Sequence, residues 1–270
     1  MFIKAYFYRV AGLIAIVGLP VFSAPVVGQA PVVEDKLFLF SNSAYTLPAR
    51  RGAFALLHTA RYGLSNRVEL GFHPIAMFLS PDIEVKWKQI ETDRYTWSSL
   101  HSVNYPSPLM RTVQISGAGG FISPEFTIPD VFAFQNGVLI STTLHDRHFL
   151  TGRALLEFAV NTKGLDDRTT VDLPILFPRS AVYYKGYGFV AGATAEAKLI
   201  GRFSYMISTD VFLFPRGGLD VFSENKLCTV WRTGKKFMLL AGGVLTYGDY
   251  PFGGQWHLLP VVDFRWFLRV

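Results

Sequence analysis

Charged side chains that could line a site recur through this chain at every second position. Arg67 and Glu69 form one such run, and Glu84, Lys86 and Lys88 another; Arg153 and Glu157, Glu196 and Lys198, Asp210, Glu224 and Lys226, Arg232, and Asp263 and Arg265 continue the pattern. Period-two spacing puts each run on one face of an extended strand, with apolar neighbours on the other. Both signs are present, so the groups can pair off and stiffen an enclosed space or line a hydrated path. Lys and Arg total 26 against 20 Asp and Glu, which favours a mildly basic path.

Other clusters with chemical potential are weaker. His145, Asp146, Arg147 and His148 offer two imidazoles and a carboxylate, but in a polar turn. Ser99, His101 and Ser102 are close in sequence, yet no acid stands where it could orient the histidine, and hydrolysis needs nucleophile, base and orienting group together. Gly117, Ala118, Gly119 and Gly120 lack the strand-to-helix context and following Lys of a phosphate loop. Cys228 shares a strand phase with Glu224, Lys226 and Arg232 and reads as a small neutral residue among them; as the single cysteine it forms no internal disulfide. No catalytic residue, metal site or cofactor is expected. A basic stripe or module for nucleic acid is absent, so nucleic acid is not an expected partner.

The elements that must position these charges are strands. Phe203, Tyr205, Ile207, Val211 and Leu213 oppose Ser204, Ser208 and Asp210, and similar alternation covers residues 68–78, 83–88, 150–161 and 187–199. Residues 53–62 and 95–105 alternate less cleanly. The last segment, residues 255–270, places Trp256, Leu258, Val262, Phe264, Trp266, Leu268 and Val270 on one face and Gln255, His257, Asp263, Arg265 and Arg269 on the other. An alternating segment of that length can cross a bilayer at a tilt. A Lys or Arg facing hydrocarbon at mid-depth costs about 2 to 4 kcal/mol, so the charged phase must face inward.

The remainder of the chain fits that address. Residues 1–28 have a basic start at Lys4 and Arg9, an apolar run from Val10 to Phe22 and small residues after it, which is the pattern of a secretory signal peptide with cleavage near 23–30. The remaining residues 29–270 then form one domain. Half of the residues are hydrophobic and 15% aromatic, yet no further run is long enough for a spanning helix. Dispersed apolar content is what a membrane barrel requires, because only alternate residues meet lipid.

Short polar turns near residues 63–66, 92–94, 145–147, 200–202 and 233–235 alternate with longer connections at 42–51, 107–130, 163–185, 215–219 and 249–254, residues 80–82 being a short exception. This parity is that of periplasmic turns and extracellular loops. The expectation is an all-β, transmembrane antiparallel barrel of about twelve strands, the first at residues 36–41; ten strands is the alternative.

In these respects the chain resembles bacterial outer-membrane β-barrel proteins of Gram-negative bacteria. The phrases Ser43-Ala44-Tyr45-Thr46-Leu47-Pro48 and Tyr62-Gly63-Leu64-Ser65-Asn66-Arg67-Val68-Glu69-Leu70 look like patterns common in uncharacterised members. The resemblance implies outer-membrane lipid as surroundings and the barrel-assembly machinery as a partner in biogenesis. Val262, Phe264, Trp266, Leu268 and Val270 would be its assembly signal, with Val270 in place of the usual terminal aromatic.

Two functions follow from the inward charges. The first is a passive channel or small-solute transporter, porin-like, for a small anionic or polar solute. The alternative is a structural or binding barrel with a plugged lumen and loops that contact a partner; a membrane-embedded hydrolase is the third. Trp87, Tyr187, Trp231, Tyr247, Trp256 and Trp266 are expected at the membrane interfaces, where an apolar ring can keep its polar atom hydrated.

Overall fold

A computed structural model describes residues 42–115, 121–144, 148–169, 179–234, 236–251 and 253–269. The signal peptide, the strand expected at residues 36–41, Gly117–Gly120, His145–Arg147 and Val270 lie outside these residues.

Twelve antiparallel strands close into one barrel, each paired to its sequence neighbours and the first to the last. They are β1 (Arg51–Ala55), β2 (Ala60–Gly63), β3 (Val68–Phe72), β4 (Asp82–Glu91), β5 (Tyr95–Asn104), β6 (Val131–Leu144), β7 (His148–Asn161), β8 (Tyr187–Ile200), β9 (Phe203–Phe214), β10 (Asp220–Arg232), β11 (Phe237–Tyr250) and β12 (Gly253–Arg269). Two helices, α1 (Ser107–Gln114) and α2 (Ala181–Lys185), lie in the long connections. Gly186 ends α2 at φ 87°, a left-handed conformation that glycine adopts without a Cβ clash.

The alternation sorts as a closed barrel demands. On β9 Phe203, Ile207 and Val211 are exposed outward, and Ser208, Asp210 and Phe212 are buried inward. Polar residues on the outer face satisfy one another across strands: His101 Nδ1 meets Asn136 Oδ1 at 2.8 Å, and Thr209 Oγ1 donates to Asn225 Oδ1 at 2.7 Å. A polar group facing hydrocarbon has no water to turn to, so such pairing lowers its cost.

The strand total of twelve agrees with expectation, but its make-up differs. Residues 53–62, read as one weak strand, form the hairpin of β1 and β2, with a bend at 56–59. The strand expected through residues 68–78 stops at Phe72 and gives way to a single 3₁₀ turn at Ala76–Phe78. Pro74 supplies a reason, since it cannot donate to a ladder. The stretch 42–51, read as an outer loop, instead carries residues 42–49 inside the barrel and leads into β1, which begins at the end where Arg51 faces Arg269, the end of the short turns.

Candidate functional site

The lumen is filled at both ends. At the long-loop end, α1 contributes Met110 and Val113, α2 contributes Ala181, Val182 and Tyr183, and these pack on inward Val190, Phe212, Phe214 and Phe222. Arg179, with none of its surface exposed, lies there over the Phe212 and Phe222 rings at 5.3 and 5.7 Å and reaches Glu224 at 3.5 Å. At the short-turn end, Met206, Cys228, Val230, Met238, Leu240, Val244 and Val261 form an apolar layer.

Residues 42–49 occupy the rest of that end as a strap across the inside of β3 to β6. Ser43, Ala44, Tyr45 and Leu47 are buried. Lys86 Nζ donates to the Ser43 carbonyl at 3.0 Å, Ala44 N to Ser141 Oγ at 2.8 Å and Leu47 N to Glu69 Oε2 at 2.7 Å. Ser98 Oγ donates to the Ala44 carbonyl, and the Tyr45 ring meets Phe149 edge-on at 6.5 Å. The strap therefore uses inward side chains of the wall in place of a strand partner, satisfying backbone groups that would otherwise be buried bare.

Between the two closures lies a chamber of about 270 Å³. Arg61, Asp82, Glu84, Arg153, Asp210, Glu224 and Lys226 line it, with Asn42, His58, His73, Ser102, Asn104 and Gln135. Its ion pairs are ordered: Arg153 grips Asp210 through two parallel N–H···O bonds, and Lys226 Nζ lies 2.6 Å from Glu224 Oε1. Gly192 makes room for the first pair, since a Cβ there would lie 2.0 Å from Asp210 Oδ1. Below the chamber Lys86 and Glu69 pair at 2.8 Å, with the Arg61 Nε at 3.8 Å from the same carboxylate.

The sequence-derived inward residues divide by place. Glu84, Arg153, Asp210, Glu224 and Lys226 line the chamber. Glu69, Lys86, Glu157, Glu196, Asp263 and Arg265 are buried in the wall layers around it. Lys88 pairs with Glu91 near the short turns, and Arg232 is half-buried at the end of β10. Arg67 and Lys198 are exposed at that same end, Arg67 in the turn before β3 and Lys198 just before the irregular pairing between Lys198 and Ile200. Cys228 is buried in the apolar layer.

The aromatic residues form two groups. Trp87, Trp231 and Trp266 are exposed outward near the short turns, where they face Val68, Phe203 and Phe237 or their neighbours. Tyr187 opens β8 at the other end, and Tyr247 meets Trp256 there at 4.8 Å. Val262, Phe264, Trp266 and Leu268 share the outward phase of β12. The hydrolytic cluster does not assemble: Ser99 and His101 face outward, and Ser102 faces inward toward Gln135. Among the described residues no group of His, Cys, Asp or Glu is arranged to hold a metal ion.

Sequence reasoning missed a relay of polar groups above β1 to β3. Asp263 Oδ1 accepts from Leu56 N and Leu57 N at 3.0 Å each, and Asp263 Oδ2 meets His58 Nδ1 at 2.6 Å. The Leu57 carbonyl accepts from His73 Nε2 at 2.7 Å, and Asp82 Oδ1 accepts from His73 N at 2.9 Å. His58 and His73 fall in segments read as strand, where a lone histidine carries no signal; the two prolines around residues 75–80, Pro74 and Pro81, were the available clue.

In the outer connections, Tyr105 and Arg111 both hydrogen-bond Asp130 and hold its carboxyl below the usual range. Arg168 does the same to Asp166 through its side chain and backbone.

Comparisons with known proteins are remote. No protein-family model matches the chain, and no curated protein does. Among solved structures, OmpTdeltaL8, a loop L8 deletion mutant of OmpT, an outer membrane protein of Vibrio cholerae, aligns at a TM-score of 0.45 and 8% identity over 78% of this chain. The alignment spans 62% of that protein, less than two thirds of its length. A bacterial polysaccharide outer membrane secretin aligns at a TM-score of 0.41 and 13% identity, over 82% of this chain and 69% of its own.

Proposed function

We propose that this protein is an integral outer-membrane barrel that holds a small ligand in a mid-lumen chamber blocked toward both barrel ends, and that it is not a passive pore. The observation that carries the reading is the double closure: an apolar layer with the strap of residues 42–49 at one end, and α1, α2 and Arg179 at the other. A pore needs a continuous hydrated path, and packed apolar layers across a narrow lumen remove it. The pairing of Arg153 with Asp210 and of Lys226 with Glu224 fits a lumen stiffened by its charges.

The outer apolar belt and its two aromatic groups support residence in a bilayer about 25 Å thick at its apolar band. Outer-membrane lipid and the barrel-assembly machinery are the partners this address brings, with residues 1–28 as the export signal. A porin-like role for an anionic solute would need the strap and the mouth helices displaced. Single-channel recording of refolded protein in planar bilayers tests the reading: no steady conductance is expected at low voltage, and a stable open level in the wild type would overturn it.

A further inference from the structure

The barrel wall is not equally tall all the way round. β1, β2 and β3 are five, four and five residues long, whereas β12 has seventeen. Five residues at about 3.3 Å each, tilted by about 40°, raise the wall by roughly 13 Å, about half of an apolar band of about 25 Å. β12 pairs with β11 from Trp266 to Gly253 but with β1 only from Arg269 to Arg265. Among the described residues, no strand pairs with the β1-side edge of residues 253–264. Gln255, Trp256, His257 and Leu258 are exposed in succession, so both faces of this stretch are open. Pro260, which has no N–H to offer a neighbour, lies within it.

The gap has a finished lower edge. The relay from Asp263 through residues 56–58 to His73 and Asp82 closes the wall at mid-height, and Leu57, His58, Thr59, His73 and Asp82 are also walls of the chamber. Outside it, Phe72, Ile75, Phe78 and Leu79 are exposed, Phe78 by 86%. The gap thus joins an apolar rim to a polar interior. Hydrocarbon does not tolerate a bare sheet edge, so polar matter must fill such an opening.

We propose that this gap is a side port from the outer leaflet into the chamber, and that its ligand is an amphipathic molecule with an amine or quaternary ammonium head. The sign of the head follows from the acids nearest the port. Asp210 and Glu224 have cations within ion-pair distance, whereas Asp82 and Glu84, successive inward residues of β4, have none within 4 Å among the described residues. Among the described residues the Glu84 carboxylate accepts hydrogen bonds from the Asn42 amide, at 3.4 and 3.5 Å, and Arg61 and Lys86 act on it only from beyond ion-pair distance. Independently, Thr194 lines the chamber with 4% exposure, and its hydroxyl has no hydrogen-bond partner. A cationic head in the chamber would offset the Asp82 and Glu84 carboxylates, an amine head would also donate to the Thr194 hydroxyl, and a tail across the Phe72–Phe78 rim would keep hydrocarbon in hydrocarbon.

The inference rests on the closed-lumen reading but fails separately from it: conductance tests that reading, and binding tests this one. The experiment uses full-length protein refolded in dodecyl maltoside micelles and a trimethylammonium amphiphile with a photoreactive diazirine in its dodecyl tail. Cross-links are expected on residues 256–258 and 72–79, competed by dodecyltrimethylammonium but not by dodecyl sulfate or by tetramethylammonium, which has no tail. In an Asp82→Asn, Glu84→Gln double variant whose circular-dichroism spectrum matches the wild type, labelling at these sites should fall about tenfold, a loss of about 1.4 kcal/mol in affinity. Should that variant not fold, Glu84→Gln alone and the competition series in the wild type decide. Labelling spread evenly over all outward strand positions would overturn the proposal, as would equal competition by dodecyl sulfate or unchanged labelling in the folded variant. Protection of the edge by residues 1–41, seen as cross-links confined to them, would overturn it too.

Discussion

The two halves of the barrel wall are held by different forces. From β6 to β12 the strands have twelve to seventeen residues and pair in nearly unbroken register, so stability there is distributed over long ladders and inward packing. From β1 to β3 the ladders are too short for that, with only two register pairs between β1 and β2. The low wall depends instead on a few buried polar ties: Lys86 with Glu69 and the strap, and Asp263 with the β1–β2 bend. Distributed bonds tolerate single losses, whereas concentrated ones do not.

The largest effect should come from Lys86→Met. Lys86 is fully buried and serves both Glu69 and the Ser43 carbonyl, so the variant removes the close cation of a buried carboxylate and leaves it Leu47 N and the more distant Arg61. Breaking such a pair from one side costs about 3 to 5 kcal/mol, read as a lower urea midpoint in refolding titrations from vesicles. The double variant Lys86→Met, Glu69→Leu should recover a good part of that loss; no recovery would show that the strap, not the ion pair, carries the energy.

Asp263→Asn comes next. The variant keeps the shape but weakens the bonds to Leu56 N, Leu57 N and His58, at a cost of about 1 to 3 kcal/mol. Amide exchange should rise in residues 54–61 more than in β9 or β10. An even rise around the barrel would break the contrast between the two walls.

On the tall wall, Gly192→Ala should act locally. Its Cβ would lie 2.0 Å from Asp210 Oδ1 and 2.7 Å from Arg153 Nε, so that ion pair must shift, at about 1 to 3 kcal/mol. Exchange near β1 to β3 should stay as in the wild type. Faster exchange there would mean that the chamber's pairs couple both walls.

The smallest effect concerns the outer loops. Asp130 has its pKa held down by Tyr105 and Arg111. A depressed carboxylate contributes above its unfolded value, about 3.9, and the contribution fades as pH falls through the folded value. Loop proteolysis near α1 should therefore increase at the acid end of that window, and Tyr105→Phe should flatten the dependence. Unchanged proteolysis across it would place the stabilising contact elsewhere.

How far the fold could be read in advance follows the same division. Long strands announce themselves: Phe203 to Leu213 alternates through a full crossing, and only one phase can face lipid. The hairpin of β1 and β2 does not, because four or five residues carry too few alternations to tell a strand from a bend. The total of twelve described strands is reached because the segment read as one strand is a hairpin of two, while the strand expected at residues 36–41 lies outside the described residues. Of the chamber acids, Glu84, Asp210 and Glu224 were legible as an inward phase, Asp82 was read into the connection at 80–82, and the inequality among them was not legible. Glu84 and Asp210 have the same strand phase, and only Arg153 reaching across from β7 distinguishes one from the other.

Alternation and turn parity by themselves determined a closed antiparallel barrel with its charges inward, because hydrocarbon penalises a charge and a bare backbone wherever they occur. The closure of the lumen, the height of the wall and the neighbours of each charge were decided only in three dimensions. The strap is tied through Ala44 to Ser141 on β6, and Asp263 meets residues 56–58 from across the barrel's seam. Such contacts join segments that no local period connects, and their energies depend on burial and distance, which exist only once the barrel has closed.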